Sequence, residues 1–285
     1  MTEYDSLQRF IFEHAPIRGQ IVHLNRTFQE IIEQRNYPAA VRKMLGEALV
    51  SCLLLASSIK FEGSLTLQFQ GSDAIPLLIV QTNDQLQVRA MAKYAEMLSD
   101  EEYQQAYLDG QLVLTLQQDS QTQNYQSLVP IQHRSMAQNL MEYFAQSEQI
   151  STKVWLTVGN DAAAGILLQL LPGKGREERE NFWSYAVQLG QTVTDEELLH
   201  LGNHTLLHRL YDEEEVRVFD SRHTEFKCRC TPEKMQQALL VIGEQDATEL
   251  LTEQQGKIDI RCDFCNKTYT FDAIDVALLF RRQKS

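Results

Sequence analysis

The sequence of 285 residues lacks the features that mark membrane-spanning, secreted or disordered chains. Its longest nearly unbroken apolar stretch, Leu49 to Ile59, is shorter than the roughly 20 residues that a transmembrane helix needs. With 13 Gly, 6 Pro and 43% hydrophobic residues, it is neither collagen-like nor low in complexity. The acids Glu3 and Asp5 stand where a secretory signal peptide would be basic. We therefore predict a globular, cytoplasmic protein that has no membrane partner.

Basic residues are in short supply as well. There are 26 Lys and Arg against 39 Asp and Glu, which gives a formal net charge of -13 and a pI near 5.0. Such a charge repels a phosphate backbone, so nucleic acid is not expected as a partner. The sequence also lacks a Walker A pattern, and we single out no catalytic residue, so we do not expect an enzyme.

Cysteines are few and unevenly placed. Cys52 stands alone in a leucine-rich run, where we expect a small buried apolar residue. The other four form two local pairs, Cys228-x-Cys230 and Cys262-x-x-Cys265. Two such pairs of thiolates are typical of a tetrahedral zinc site, and four protein ligands leave no open position for a substrate. We predict one Zn²⁺ per chain in the reduced form, bound by Cys228, Cys230, Cys262 and Cys265.

Unrelated free thiols would rarely fall into two close pairs within so short a segment. Three other interpretations of these cysteines remain. A thioredoxin-like dithiol normally opens a helix, whereas a strand-like pattern follows Cys265. A nucleic-acid zinc ribbon should be basic, whereas residues 226–285 carry nine acids and nine bases. The third alternative, a constitutive zinc-ribbon binding protein whose zinc is purely structural, stays open. The histidines are not expected to be ligands, because Gly202-Asn203 breaks the helix between His200 and its neighbours His204 and His208, and because His223 competes with four thiols.

Helix and strand signals are mixed in the first part of the chain, residues 1–175. Pro38 opens a long run of helix formers to Ala56, which predicts a buried helix. Further helices are predicted at Asp100–Tyr107 and Ser135–Gln146. The strand-like runs are Ser64–Gln70, Ala74–Gln81, Gln85–Ala90, Gln111–Leu116, Tyr125–Pro130, Thr152–Val158 and Gly165–Leu171. We predict an α+β domain around a mainly antiparallel sheet, which ends at the Pro/Gly cluster 171–175.

Residues 176–225 form a predicted linker of short amphipathic helices. The stretch 176–220 holds eleven acidic residues against four basic ones, yet it carries an apolar helical stripe. Thr194-x-x-Glu197 is a capping-box pattern that opens a second helix, which Gly202-Asn203 ends. Isolated helices of this length are marginal in water, so they need a surface to lie on. The stripe and the second helix supply five candidate residues for binding another protein: Phe182, Tyr185, Leu189, Leu198 and Leu199.

The last 60 residues, 226–285, form the predicted zinc domain. Thr231-Pro232 opens a helix that ends near Gly243, Asp246 caps a second one that Gly256 closes, and Asp272 caps a terminal one to about Phe280. The segments Lys257–Arg261 and Lys267–Phe271 are strand-like and flank the second cysteine pair.

Zinc makes this domain a possible switch. So small a segment buries little core, whereas structural zinc contributes roughly 10 to 16 kcal/mol of apparent binding free energy that is also folding free energy. The thiols stay oxidisable, and Cys228 with Cys230 and Cys262 with Cys265 could close disulfides. Metal loss would then unfold the domain and free the apolar stripe of the linker.

Several stretches of the chain resemble the bacterial redox-regulated holdase chaperones, the thirty-three-kilodalton heat-shock protein family. They are Arg9–His14, Ile59–Gly71, Leu206–Val216, Glu225–Cys230 and Ile260–Cys265. The resemblance runs essentially end to end. It implies an N-terminal α+β domain, a metastable helical linker and a C-terminal zinc domain whose thiolates form two neighbouring disulfides on oxidation. It also implies a dimer that, when oxidised, holds unfolding client proteins without ATP.

Two departures from the family pattern stand out. Asn266 follows Cys265 where such knuckles commonly have glycine, and asparagine can also adopt the left-handed conformation. The stretch Gln70–Pro76 lacks the compact Gly-Pro turn expected after its strand. We expect the first to leave zinc binding intact and the second to change only the loop.

Overall fold

The structure, a computed structural model, describes residues 4–120, 124–173 and 175–283; Lys174, in the predicted boundary cluster, lies outside them. The chain forms two compact units, Met1–Lys227 and Cys228–Ser285. None of the described helices combines the length and apolar character that crossing a bilayer requires.

The first unit mixes helices and strands. Its strands are β1 Ser6–Phe12, β2 Ile17–Leu24, β3 Gly63–Gln70, β4 Leu77–Asn83, β5 Gln87–Lys93, β6 Gln111–Gln118, β7 Tyr125–Val129, β8 Thr152–Val158, β9 Ala163–Leu170, β10 Val216–Val218, β11 Arg222–His223 and β12 Glu225–Phe226. Its helices are α1 Arg26–Ile32, α2 Ala39–Ser58, α3 Asp100–Leu108, α4 Met136–Tyr143, α5 Arg176–Gly190, α6 Asp195–His200 and α7 Asn203–Tyr211, and a π-helical turn, Phe144–Glu148, continues α4.

These strands make two six-stranded sheets. The first has the order β10-β1-β2-β9-β8, and β11 also pairs with β1. The second has the order β12-β5-β4-β3-β6-β7. Every pairing is antiparallel except that of β12 with β5. The predicted α+β class with mainly antiparallel pairing is confirmed.

Helix α2 forms the centre of the main core. Its residues from Leu45 to Leu54 are buried, apart from the half-buried Glu47, as its run of apolar helix formers predicts. Buried side chains of both sheets pack in the same core, including Leu24 and Leu167 of the first sheet and Leu67 and Val80 of the second. The helix predicted between Pro38 and Ala56 is therefore confirmed.

Most of the other predicted elements are confirmed within a few residues, and two boundaries shift. The strand predicted from Ala74 begins at Leu77, because residues 71–76 form a turn in which Gly71 N donates to Pro76 O at 3.4 Å. The helix predicted over Ser135–Gln146 ends as the π-helical turn, after which Gln149 has φ of 54°. Strands β1 and β2 and helix α1 were not predicted.

The predicted linker segment lies in the first unit. Helices α5, α6 and α7 pack against one face of the first sheet, whose other face packs on α2. The shared apolar core includes Phe10, Ile21 and Ile166 from the sheet and Leu198 and Leu210 from the helices. The surface that these short helices need is therefore the first sheet. Residues 216–225, predicted as part of a helical linker, instead contain the short strands β10 and β11 and the first residue of β12, because they pair with β1 and β5.

The second unit is a hairpin with three helices: α8 Pro232–Ile242, α9 Glu244–Glu253, β13 Lys257–Arg261, β14 Thr268–Asp272 and α10 Ala273–Gln283. Thr231 caps α8 as predicted, and Asp272 caps α10 by accepting bonds from Ile274 N and Asp275 N. The prediction that Asp246 caps α9 is wrong. Gly243, with φ of 94°, turns the chain directly from α8 into α9, so Asp246 lies within the first turn.

Candidate metal centre

The four C-terminal cysteines come from two places in the second unit. Cys228 and Cys230 lie in the segment just before α8, and Cys262 and Cys265 lie in the turn that joins β13 to β14. The antiparallel register places Arg261 opposite Thr268, so the chain reverses at the second pair. A loop before a helix and a turn between strands therefore bring the two pairs together, as the sequence predicts.

The four sulfur atoms form one cluster. All lie within 4.8 Å of one another, with Sγ of Cys228 3.6 Å from Sγ of Cys262 and Sγ of Cys230 3.5 Å from Sγ of Cys265. Sulfurs that bind zinc tetrahedrally at about 2.3 Å would lie about 3.8 Å apart. The cluster thus has the donor set and spacing to hold a soft metal ion. No other group of three or more histidines, cysteines or acids within the described residues does.

Two sulfur–sulfur contacts, Cys228 with Cys262 and Cys230 with Cys265, join the two motifs. All four cysteines are free thiols in this structure. The predicted disulfide pairs, Cys228 with Cys230 and Cys262 with Cys265, stay predictions. Each requires the sulfurs to leave the mixed arrangement that the cluster now has.

Hydrogen bonds reach the sulfurs from the protein. Tyr269 donates its hydroxyl to Sγ of Cys230 at 3.1 Å and to the Cys230 carbonyl at 3.2 Å. The backbone N–H of Lys267 donates to Cys265 and that of Cys230 donates to Cys228. Donors aimed at sulfur stabilise thiolates, which are the form that binds metal.

The thiols differ in acidity. Burial acts to raise the pKa of Cys230, but the Tyr269 hydroxyl and the neighbouring thiols outweigh it and lower this pKa to about 7. Burial raises the pKa values of Cys228 and Cys265. The hydroxyl of Tyr269 thus favours the thiolate form of Cys230.

The turn that joins β13 to β14 depends on Asn266, which directly follows Cys265. Its φ is 54°, in the left-handed region, and its N–H donates to the carbonyl of Cys262 at 2.9 Å. The N–H of Cys262 in turn donates to the carbonyl of Lys267 at 2.9 Å. Asparagine is among the few residues that tolerate this conformation, so the departure from glycine keeps the turn.

The second unit has a small hydrophobic core. Its buried core consists of Leu239, Ala247, Ile258, Tyr269, Phe271, Val276 and Phe280. Tyr269 is thus both a core residue and a hydrogen-bond donor to Cys230. A core of this size gives limited folding free energy, so a metal that binds only the folded cluster would add a large share of the total.

The other residues considered from the sequence lie elsewhere. Cys52 is fully buried in α2, where burial raises the pKa of its thiol to about 12, so it is the inert apolar residue expected. His200 lies in α6, whereas His204 and His208 lie in α7, so the predicted helix break between them is confirmed. His223 lies in β11, paired with Ser6.

The candidate client-binding residues lie at the interface between the linker helices and the first sheet. Leu198 is 3% exposed and belongs to its buried core. Phe182, Leu189 and Leu199 are half-buried and pack against that core. Tyr185 is half-buried with its ring 5.9 Å from the ring of Phe182. In this conformation these side chains are largely covered, and their part in client binding stays a prediction.

Sequence analysis missed Tyr269 as a partner of the thiols. Its alternation with Phe271 marks it as an inward position of β14, but it does not reveal that the hydroxyl reaches Cys230. Only the hairpin register, which pairs Ile260 with Tyr269, places the ring beside the cluster.

Comparison with known proteins gives consistent results. The family model described as Hsp33 protein matches residues 5–272. A 33 kDa chaperonin of Pseudomonas aeruginosa (strain LESB58) is 42% identical over 285 residues, which cover 98% of this chain and 96% of the relative. The 33 kDa chaperonin of Aeromonas salmonicida is 39% identical, covering 99% of this chain and 97% of that protein.

A solved structure shares the fold. The crystal structure of a 33 kDa chaperonin (heat shock protein 33 homolog) from Thermotoga maritima superposes with a TM-score of 0.83, covering 99% of both chains at 22% sequence identity. The fold is thus retained although most residues differ.

Proposed function

This chain belongs to the Hsp33 chaperone family, and from that membership we propose that it is a redox-regulated, ATP-independent holdase that captures unfolding proteins. The observation that carries the redox part is the cluster of four free thiols within 4.8 Å of one another. Such a cluster can exist as four thiols or as disulfides. Because the second unit has a small core, its folding stability should depend on which of the two states is present.

In the reduced state, Cys228, Cys230, Cys262 and Cys265 hold one Zn²⁺. The metal supplies cross-linking of the two cysteine motifs and, with four protein ligands, has no open position for substrate. Zinc suits four thiolates better than the oxygen-preferring cations do. The hydrogen bonds that reach the sulfurs support the thiolate form. In this state the protein does not capture clients.

Oxidation converts the thiols into two disulfides, Cys228 with Cys230 and Cys262 with Cys265. For each pair, the two thiolates form one S–S bond and give up two electrons, which together with two protons from the solvent reduce one hydrogen peroxide to two water molecules. Disulfide sulfurs no longer act as thiolate ligands, so the metal is released. The second unit then loses the cross-link that held it folded.

The linker helices convert this local unfolding into exposed apolar surface. The second unit begins directly after Lys227, whose N–H donates to Val88 O beside the two-residue strand β12. Loss of structure from Cys228 onward removes the ordered chain that follows this short strand. Helices α5 to α7, which are held mainly by burial against the first sheet, can then leave it. Their stripe, with Phe182, Tyr185, Leu189, Leu198 and Leu199, and the apolar face of the sheet become the client-binding surface.

The remaining features of the proposal follow the same family. The chain acts in the cytoplasm, forms a homodimer when oxidised, and is not an enzyme. Its partners are unfolding client proteins rather than nucleic acid or membranes, in keeping with its net charge of -13. The three proposed regions are the client-binding and dimerising domain 1–175, the linker 176–225 and the redox-switch domain 226–285.

One experiment tests the switch against a constitutive binding protein with purely structural zinc. Light scattering of a heat-unfolding client is followed with equal amounts of the protein, either reduced and zinc-loaded or oxidised with peroxide at mildly raised temperature. We expect suppression of aggregation by the oxidised form alone, and its reversal by a thiol reductant. Equal behaviour of the two forms would support the constitutive alternative. A Cys52→Ser variant is the matched control and should switch normally.

A further inference from the structure

Strand β7 is the terminal strand on one side of the second sheet in the part of the first unit that the structure describes. Helix α4 contacts both β7 and β8, the terminal strand of the first sheet, whose opposite side ends in the short strands β10 and β11. The second sheet ends in the two-residue β12 on one side and in the five-residue β7 on the other. Strand β7 pairs with β6 alone among the described strands.

This edge is short and is followed by Pro130, but it lacks one common protection against pairing with another chain, a charged residue. Natural edge strands are commonly blunted by charged residues, above all lysine. The sequence from Ser120 to Gln132 has no charged residue, and neither does the neighbouring strand β6, although the chain as a whole is strongly acidic. Large side chains of β7 face solvent, with Tyr125 59% and Leu128 56% exposed.

A largely apolar cavity of about 280 Å³ opens beside the start of β7. Tyr125 of β7 and Leu116, its register partner on β6, both line it. Further apolar walls come from Leu55, Leu65, Leu114, Phe144 and Ile150. When a peptide adds to a sheet edge, backbone hydrogen bonds give affinity and side-chain pockets beside the edge give selectivity. The edge of β7 offers the backbone groups for such hydrogen bonds, and the cavity offers a side-chain pocket.

We propose that the edge of β7 takes an extended, uncharged segment of an unfolding polypeptide as an additional strand, with one apolar side chain of that segment entering the cavity beside Tyr125. This inference rests on the proposed holdase function and specifies a contact for it. An unfolding client offers unpaired backbone groups and exposed apolar side chains, which are the two features that the edge and the cavity match. A charged segment finds no opposite charge along the edge, because neither β6 nor β7 carries a charge; the charged lining residues of the cavity are Arg18 and Glu148.

The test uses the full chain in its oxidised form and reduced, carbamidomethylated α-lactalbumin as a permanently unfolded probe. Leu128→Lys places a charge on the edge, and Leu116→Phe fills part of the cavity. Met97→Lys, at a position that is 100% exposed and lies in no strand, is the matched control for the added charge. We expect the two β7-site variants to weaken probe binding about fivefold or more, which corresponds to about 1 kcal/mol, and the control to bind as the parent does.

Hydrogen exchange supplies a second measurement that does not depend on any substitution. Amides of residues 124–129 should gain protection when the probe binds. Probe binding without that gain, and with equal affinity in all variants, would overturn the inference while the holdase function stands. Failure of the parent to bind the probe in either redox state would overturn both. Protection that depends on chain concentration without the probe would assign the edge to self-association and also overturn the inference.

Discussion

The hydroxyl of Tyr269 lies 3.1 Å from Sγ of Cys230 and joins the core of the second unit directly to its thiol cluster. The bond crosses from β14 to the segment before α8, which are far apart in the chain. The Tyr269 side chain therefore contributes both to the packing of the hairpin and to the hydrogen bonding of the Cys230 sulfur.

We expect Tyr269→Phe to keep the ring packing and to weaken zinc binding about tenfold, because partners that hydrogen-bond to metal ligands typically contribute about 10- to 100-fold to affinity. Competition with a chromophoric chelator measures this. Tyr125→Phe, which removes a hydroxyl from an exposed ring in the first unit, is the control. Unchanged affinity of Tyr269→Phe would show that the bond to sulfur adds nothing to the site.

The left-handed turn at Asn266 gives a second prediction. Asn266→Gly should bind zinc as well as the parent, whereas Asn266→Val should bind it about tenfold less tightly, because a β-branched residue at φ of 54° is strained by about 1 to 2 kcal/mol. Both affinities are measured in the same chelator assay. Equal affinities for the two variants would mean that the turn relaxes without disturbing the sulfurs.

Leu198 tests the linker interface. Leu198→Ser removes a buried side chain and should weaken the packing of α6 on the first sheet by about 3 kcal/mol. Part of the reduced population should then capture clients without oxidation, while zinc stays at one per chain. Leu199→Ser, at a half-buried position, should act in the same direction but less strongly.

Glu196→Ser, at an exposed position of the same helix, serves as the control for the linker variants. Client capture is measured by light scattering and zinc by metal analysis. If Leu198→Ser leaves capture unchanged in both redox states, the linker is not a client contact.

Glu47 should make the stability of the first unit depend on pH. Burial raises the pKa of this carboxyl from 4.5 to about 7, although nearby Lys43 acts to lower it. The folded state thus holds the proton more tightly than the unfolded state does. The contribution of this group to stability falls as pH rises from about 4.5 to about 7 and stays low above that range.

Glu47→Gln should therefore stabilise the first unit at pH 8, by up to about 3 kcal/mol, and change little at pH 4.5. Urea unfolding followed by tryptophan fluorescence measures this for the first unit alone, because both tryptophans, Trp155 and Trp183, lie there. Exposed Glu62→Gln is the control. An equal effect of Glu47→Gln at both pH values would refute the assignment.

Much of the candidate site could be predicted because short stretches of sequence determine it. Cysteine spacing, the Thr231 cap and the alternating strand around Tyr269 are each encoded within a few residues. The four thiols were therefore placed together correctly. The sulfur contacts of Cys228 with Cys262 and of Cys230 with Cys265 could not be predicted, because they depend on how the loop before α8 packs against the hairpin.

Strands β1 and β2 were missed for the opposite reason. Both lie in the middle of the first sheet with α2 on one face and linker helices on the other, so both of their faces are covered. Buried polar residues, Gln8, Gln20 and His23, interrupt their apolar runs and hide the alternation that marks a half-exposed strand. Only the tertiary partners of these side chains explain their burial.

Attachment at both ends of the linker helices limits how far they can travel once they leave the sheet. Strand β9 holds the chain up to Leu170, and β10 fixes it again from Val216, both in the same first sheet. The segment 171–215 is thus a closed loop, and its return to the sheet is intramolecular. A tether of this kind sets an effective concentration of order millimolar. In the proposed mechanism, a bound client would therefore compete with displaced linker helices that stay attached to the sheet, and this competition would favour client release on re-reduction.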